Sequence, residues 1–498
     1  MTKSSVTTSS IVRSHIPLGI IVAIACVAQF MVVLDSSIVN VALPAMRADL
    51  GMSTNGQQWV VDGYLITFGG LLLFAARAGD LFGRKWVFQC GLAIFTLASL
   101  VGGFAENGEW LIVARVVQGI GAAALAPASL SLITASHTDG HQRTKALAIW
   151  AVAASSAGAV GMILGGVLTS ELNWRYVLFV NVPIGIALFV GAAICLMPSS
   201  LRHDGRRLDT AGALTITVGV GALVYAISQA NRAGWGSMSV VISLIAAGAL
   251  IAAFIVIEMF SRQPLVSLGI FRHRSLSLAN VMMACLGVSM TSVIFFLSLY
   301  EQQILGYRAL RTGLSLVPMT VVLVIGAFVA KRLIVAIGYR SLLAAGATIS
   351  AIGVAWLSKL TVAPDYSFHV LGPTLVAGLG MSLMVLPVTV AATTGIEASD
   401  AGLASGLVNM GRQIGGAIGL AVLVAISSAA TRHAGLRSPA AGMVQGYHMA
   451  LLICAGISLL SAIIALFLPK AVRAIHAGPT TVTSGRSMAR NAVDDVGN

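Results

Sequence analysis

The stretch QFMVVLDSSIVNVALP, Gln29 to Pro44, decides how this sequence folds. It is apolar on both flanks, yet it holds one carboxylate, Asp35. Whether a charge is tolerable there depends on the solvent around it, and composition identifies that solvent. Of 498 residues, 57% are hydrophobic and only 9% charged, with a mean hydropathy of +0.92. A soluble domain carries about a quarter charged residues, so this chain cannot cover a water-facing surface. Apolar runs of about 20 residues, the length that crosses a bilayer as a helix, recur from end to end. Short alternating strands, the signature of a membrane barrel, do not occur. The sequence therefore predicts an all-α polytopic membrane protein.

Fourteen spans can be delimited, the first over 17–43 and the last over 447–469. With the N-terminus in the cytoplasm, 20 of the 30 Lys and Arg residues fall on that side and 8 on the other. That excess is what the positive-inside rule expects, and it places both termini in the cytoplasm. Heavy Ala, Gly and Arg usage with scarce Lys points to a GC-rich genome, and the chain is read as residing in a bacterial plasma membrane. One loop breaks the pattern: Thr393 to Ala401 holds Glu397 and Asp400 and no base. The same rule accounts for the net charge of +13 and the pI near 10 without nucleic acid as a partner. The five cysteines fall in separate apolar runs without a CxxC spacing and read as small buried residues. His137 and His141 flank a short loop and read as solvated. The first apolar run, from Ile16, is too long for a signal peptide core and lacks an A-x-A-like site.

The two halves resemble each other. GDLFGRK follows the second span, and AIGYRS follows the tenth. The fifth span of each six is rich in glycine: SSAGAVGMILGG and SGLVNMGRQIGGAIG. This organises the chain as a six-helix bundle (1–200), a linker with two inserted spans (201–262), a second six-helix bundle (263–470) and a polar cytoplasmic tail (471–498). Repeated halves are the usual build of secondary transporters, with the substrate site at their interface.

A charge at mid-bilayer costs roughly 2.5–3.5 kcal/mol on insertion scales, so Asp35 should face a cavity or a partner. Asp62 on the second span and Arg115 on the fourth fall at nearly the same depth, about 8–12 Å below the outer surface at 1.5 Å per residue. The expectation is one titratable cluster of Asp35, Asp62 and Arg115, in which opposing influences on the carboxyl groups allow proton loading and release. A static ion pair that only fixes helix packing is the other reading. Asp80, Gly83 and Arg84 lie in the turn after the second span, where Gly83 permits a tight reversal and Asp80 could latch onto a helix N-terminus of the other bundle. Gly119 and Gly121, with Gly158, Gly161, Gly165 and Gly166 of the fifth span, let backbones approach closely. Asn40, Gln118, Asn409 and Arg412 are candidate polar residues of a cavity. Glu258 reads as reaching toward the cytoplasmic interface, and Glu301 with Gln302 as capping the ninth span on the outside. No metal motif, no nucleophile–base pair and no nucleotide-binding G-x-x-x-x-G-K-[ST] loop is present. The chain is therefore not read as an enzyme, and no cofactor or obligate protein partner is expected.

At these residues the chain resembles the major facilitator superfamily, and within it the fourteen-helix drug:proton antiporters. LDSSIVNVALP (34–44) resembles their first-helix signature, GDLFGRK the loop signature G-x-x-x-D-x-x-G-R-K, and RVVQGIGAA (115–123) the fourth-helix motif. WRYVLFVNVPIG, YEQQILGY and GLASGLVNMGRQIGGAIG extend the resemblance over nearly the whole chain. Ala76 stands at the first glycine of the loop signature. Met162 stands where the export motif G-P-x-x-G-G has its proline. The resemblance implies a major-facilitator fold with two six-helix bundles plus two inserted helices. It implies proton-driven efflux of amphipathic organic compounds such as drugs or antibiotics, with the proton gradient as energy source. Two other readings stay open: a dedicated exporter of one metabolite or of the producer's own antibiotic, and a non-transporting membrane sensor or scaffold.

Overall fold

A computed structural model describes residues 18–136, 140–196, 208–397, 400–434 and 438–469. The expected tail (471–498) and His137 lie outside them, as does part of the linker between the bundles (201–207). With no water in a bilayer core to satisfy peptide groups, each apolar segment bonds its backbone internally as a helix. The elements are α1 (Leu18–Asp49), α2 (Thr54–Phe82), α3 (Arg84–Gly103), α4 (Gly108–Ser136), α5 (Gly140–Val167), α6 (Tyr176–Phe179), α7 (Asn181–Cys195), α8 (Thr210–Ala233) and α9 (Met238–Phe260). There follow α10 (Arg274–Gln303), α11 (Ala309–Leu357), α12 (Gly372–Thr393), α13 (Ala401–His433) and α14 (Pro439–Ala465).

Among the described residues 13 helical segments are long and apolar enough to cross a membrane, α6 and α7 together forming one of them. One of the 13, α11, has 49 residues. At 1.5 Å per residue it would run about 74 Å, more than twice a hydrocarbon core of about 30 Å. It instead reverses at Gly338 (φ 78°, ψ 157°). The chain thus makes the fourteen passes expected. That backbone region is open essentially to glycine alone and costs other residues about 1–3 kcal/mol. Gly338→Val is expected to lower the thermal unfolding temperature of the solubilised protein, read by loss of the monodisperse peak on size exclusion after heating.

Because the passes alternate, Leu18, Gly83, Gly338 and Pro469 share one end of the molecule, here the terminal end; the other is the distal end. At the distal end the two bundles are bonded across their interface. Ser298 Oγ donates to Asn40 O at 2.9 Å, Gln302 Nε2 to Val41 O at 2.9 Å, and Leu310 N to Ser170 Oγ at 2.9 Å. Glycines make this seam close. A Cβ on Gly166 would lie 2.7 Å from Leu310 Cα, and one on Gly313 would collide with the Met162 carbonyl. Gly161 and Gly165 serve the packing of α5 on α1, against Ser37 and Ile38. Gly158 departs from the expectation: a Cβ there would meet nothing within 4 Å, although the adjacent Ala157 is buried and its carbonyl accepts from Ser37 Oγ of α1 at 3.4 Å. Nearer the terminal end, Ile149 and Val152 on α5 and Val321, Ile325 and Phe328 on α11 are exposed.

On the other flank α2 packs on α13, with Gly69 against Gln413 and Gly406 against Leu73. The inserted α8 lies along both α2 and α13. Asn55 Nδ2 donates to Ser228 O at 2.7 Å, Trp59 stacks obliquely on Tyr225 at 6.4 Å, and a side chain on Gly70 would collide with Thr217. The pair α8–α9 therefore covers the seam between α2 and α13. The apolar face of α9, with Ile245, Met259 and Phe260 exposed, is a surface suited to lipid rather than water.

Candidate functional site

Asp35, on α1, is fully buried and held by three side chains. Arg115 Nη1 forms an ion pair with Oδ2 at 2.6 Å. Gln118 Nε2 and Asn181 Nδ2 donate to Oδ1 at 2.8 and 2.9 Å. Both amides also donate to Ser99 Oγ, at 2.9 and 3.1 Å. Arg115 also donates from Nη1 to Gln118 Oε1 (2.5 Å) and from Nε to Val60 O (3.2 Å), and its guanidinium lies 4.3 Å from the centre of the Tyr64 ring. Four helices besides α1 thus converge on one carboxylate: α2, α3, α4 and α7. The glycines of RVVQGIGAA make this convergence sterically feasible. A Cβ on Gly119 would lie 2.5 Å from Tyr64 O, and one on Gly121 2.6 Å from Phe95 N, so α4 can approach α2 and α3 closely enough to deliver Arg115 and Gln118.

Asp62 does not join this network. It is also fully buried, but its Oδ2 accepts from Gln58 Nε2 at 2.6 Å and its Oδ1 has no partner among the described residues. Depth alone predicted one cluster. Rotation about α2 divides it: Asp62 and Tyr64 are two residues, about 200°, apart on the helix. Tyr64 faces Arg115, whereas Asp62 lies between the Asn55–Trp59–Gly70 stripe that meets α8 and Gly69 that meets α13. Gln57 lies nearby in sequence, buried and with neither end of its amide bonded.

The terminal-end motif is partly assembled. Gly83 turns the chain at φ 94°, and Arg84 Nη1 donates to Ser131 O on α4 at 3.4 Å. Asp80 is exposed and forms no ion pair among the described residues. Of the cavity candidates, Gln118 belongs to the Asp35 network. Asn40 lends its carbonyl to the distal seam and donates its amide to Ser36 O at 2.8 Å. Arg412 Nη2 donates to Asn409 Oδ1 at 3.0 Å within α13. Glu258 is buried rather than reaching for the interface, with Oε2 accepting from Val266 N at 3.1 Å. Asn181, Ser99 and Tyr64 were not foreseen as members of the site. Asn181 could have been, as an amide inside the apolar run FVNVPIG.

Two helical bundles sealed against each other at one end, with buried ionisable side chains in the spanning region, define a membrane transporter of the secondary type. The sequence profile described as Major Facilitator Superfamily matches residues 25–420, and the chain belongs to that superfamily. A cephamycin export protein of Amycolatopsis lactamdurans is 44% identical over 82% of this chain and 85% of its own length. A puromycin resistance protein of Streptomyces alboniger is 36% identical over 94% of each chain. A crystal structure of an auto-inhibited POT family peptide transporter shares the fold, with a TM-score of 0.65 at 13% identity, covering 91% of this chain and 96% of that one.

Proposed function

We propose that this protein exports amphipathic organic compounds of the antibiotic type across the cell membrane by exchange for protons. The observation that carries the proton part is Asp62, a fully buried carboxylate with one oxygen unpartnered. A group so placed accepts or releases a proton when alternating access admits water to it. Asp35 and Arg115, locked together in this conformation, act as the pair whose opening accompanies the change of access. Asp80, Gly83 and Arg84 serve the terminal-end gate, which by the basic-residue distribution faces the cytoplasm. The nature of the cargo rests on the relatives, whose names tie them to cephamycin export and puromycin resistance. Those names, each for one compound, also support a second reading: a dedicated exporter of a single antibiotic.

The test is a resistance panel in a pump-deficient bacterial strain, with and without a protonophore. The expected result is several-fold protection that the protonophore abolishes. Protection across structurally unrelated compounds selects the first reading, and protection against one selects the second. Protection that survives collapse of the proton gradient would reject proton exchange.

A further inference from the structure

The distal end of α10 holds a buried carboxylate that the exchange scheme does not use. We propose that Glu301 is a proton-binding site of the distal seal, carrying a proton while the seal is closed and giving it up when the seal opens. This rests on the export reading above, with the distal end facing the cell exterior.

Glu301 is fully buried. Ser315 Oγ, on α11, lies 2.6 Å from one carboxyl oxygen, 2.5 Å from the other and 2.9 Å from the Thr312 carbonyl. A hydroxyl has one proton to donate. With an ionised carboxylate, two of these three short oxygen–oxygen contacts would have no hydrogen between them. A neutral carboxyl supplies a second hydrogen and leaves one such contact instead of two: one carboxyl oxygen donates its proton to Ser315 Oγ, and the Ser315 hydroxyl donates onward to the Thr312 carbonyl. Among the described residues no cation is ion-paired with Glu301. Arg311, the nearby base, lays its guanidinium 3.8 Å from the centre of the Tyr307 ring and forms no ion pair with Glu301. The remaining titratable groups around Glu301 are three tyrosines. Tyr300 donates to Thr361 O at 2.6 Å, Tyr366 donates to Ser315 O at 3.4 Å, and Tyr307 carries the Arg311 stack.

A cavity of about 230 Å³ is lined by Tyr307, Arg311, Leu314, Ser315 and Tyr366. Arg311 and Leu314 are exposed, so the cavity opens to the surroundings. Ser315 thus stands between Glu301 and a route for water and protons. The same turn of α10 holds the seal, since Ser298 and Gln302 are the donors to α1. Ser315 lies on the helix whose start is bonded to Ser170.

The closed state therefore binds one proton more at this site than an open, hydrated one. By linkage, acidification of the distal side favours closure. In an exporter that sign returns the carrier once cargo has left: a proton from the acidic exterior binds Glu301 and closes the exit. Glu301 is a trigger for closure, distinct from a carboxylate that moves a proton across the membrane.

The experiment uses the full chain in lipid nanodiscs, with its five native cysteines replaced and spin labels on cysteines at Glu171 and Arg308, exposed positions either side of the distal seam. Distance distributions are measured between about pH 5 and about pH 9, a range wide enough for a perturbed carboxyl to titrate. In the parent, the short-distance population should grow several-fold toward acid. Glu301→Gln, which imitates the protonated group, should stay short throughout. Glu301→Asp should keep a pH response, and Ser315→Ala, which removes the acceptor for the carboxyl proton, should shift the transition to lower pH. A parent without a transition, or Glu301→Gln with the parent's transition, overturns the proposal. If the Gln variant does not fold, an unshifted Ser315→Ala transition overturns it instead. Drug protection by the parent is scored separately. A parent that protects cells but shows no acid-driven closure overturns the role of Glu301 alone, whereas a parent that protects against nothing overturns the export reading.

Discussion

Arg115→Met, in a chain that keeps Asp35, is expected to leave little folded protein. Asp35 would remain fully buried with two amide donors and no cation. Removing one partner of a buried ion pair costs about 3–5 kcal/mol. A typical stability is about 5–15 kcal/mol, so this is a large share. Size exclusion of detergent-solubilised protein against temperature gives the measurement. The double variant Asp35→Asn/Arg115→Met should recover most of the loss, because the site then holds no charge and Gln118, Asn181 and Ser99 still bond among themselves. It should nonetheless fail to export. Apolar replacements of a buried pair are often neutral or stabilising, and each charge in mid-membrane is costly. A pair that only held α1 to α4 would be replaceable at no loss of function. Export at the parental rate by the double variant would show that the pair is a packing device.

The number of passes was legible because apolar length and charge spacing are read along one dimension. So was the reversal after α2, where glycine and two bases mark a turn. Depth is also one-dimensional, and it correctly placed Asp35 and Arg115 in reach of each other. Rotation is not. Asp62 shares their depth but points to a different side of α2, which a sequence of nearly uniform hydrophobicity leaves unmarked. The moment that fixes the inward face of a soluble helix is weak when lipid and core are equally apolar. The glycines show the same limit. Gly161, Gly165 and Gly166 each meet a neighbour, while Gly158 three residues earlier does not. Glu301 reads from the sequence as a helix cap; only the fold brings Ser315 from the following helix onto both of its oxygens.

Asp62→Asn is expected to leave the fold intact and to reduce proton-driven export at least about tenfold, equivalent to about 1.4 kcal/mol or more in the coupled step. The amide matches the carboxyl group in size and keeps an oxygen for the Gln58 Nε2 donor. Only the exchangeable proton is lost. In proteoliposomes with an imposed pH gradient, uphill export should fall toward background, while exchange of labelled for unlabelled compound at equal pH should persist. Asp62→Glu should retain part of the uphill rate. The location of Asp62 also gives the inserted pair a mechanical part. It is α8, pressed on Gly70 through Thr217 and on Asn55 through Ser228, that closes the flank of α2 on which Asp62 lies. A twelve-pass bundle lacking α8 and α9 would expose that flank to lipid, which adds no donor to the one that Gln58 of α2 itself supplies. Asp62→Asn protein that exports uphill at the parental rate would remove Asp62 from the mechanism and leave α8 as a plain filler of the seam.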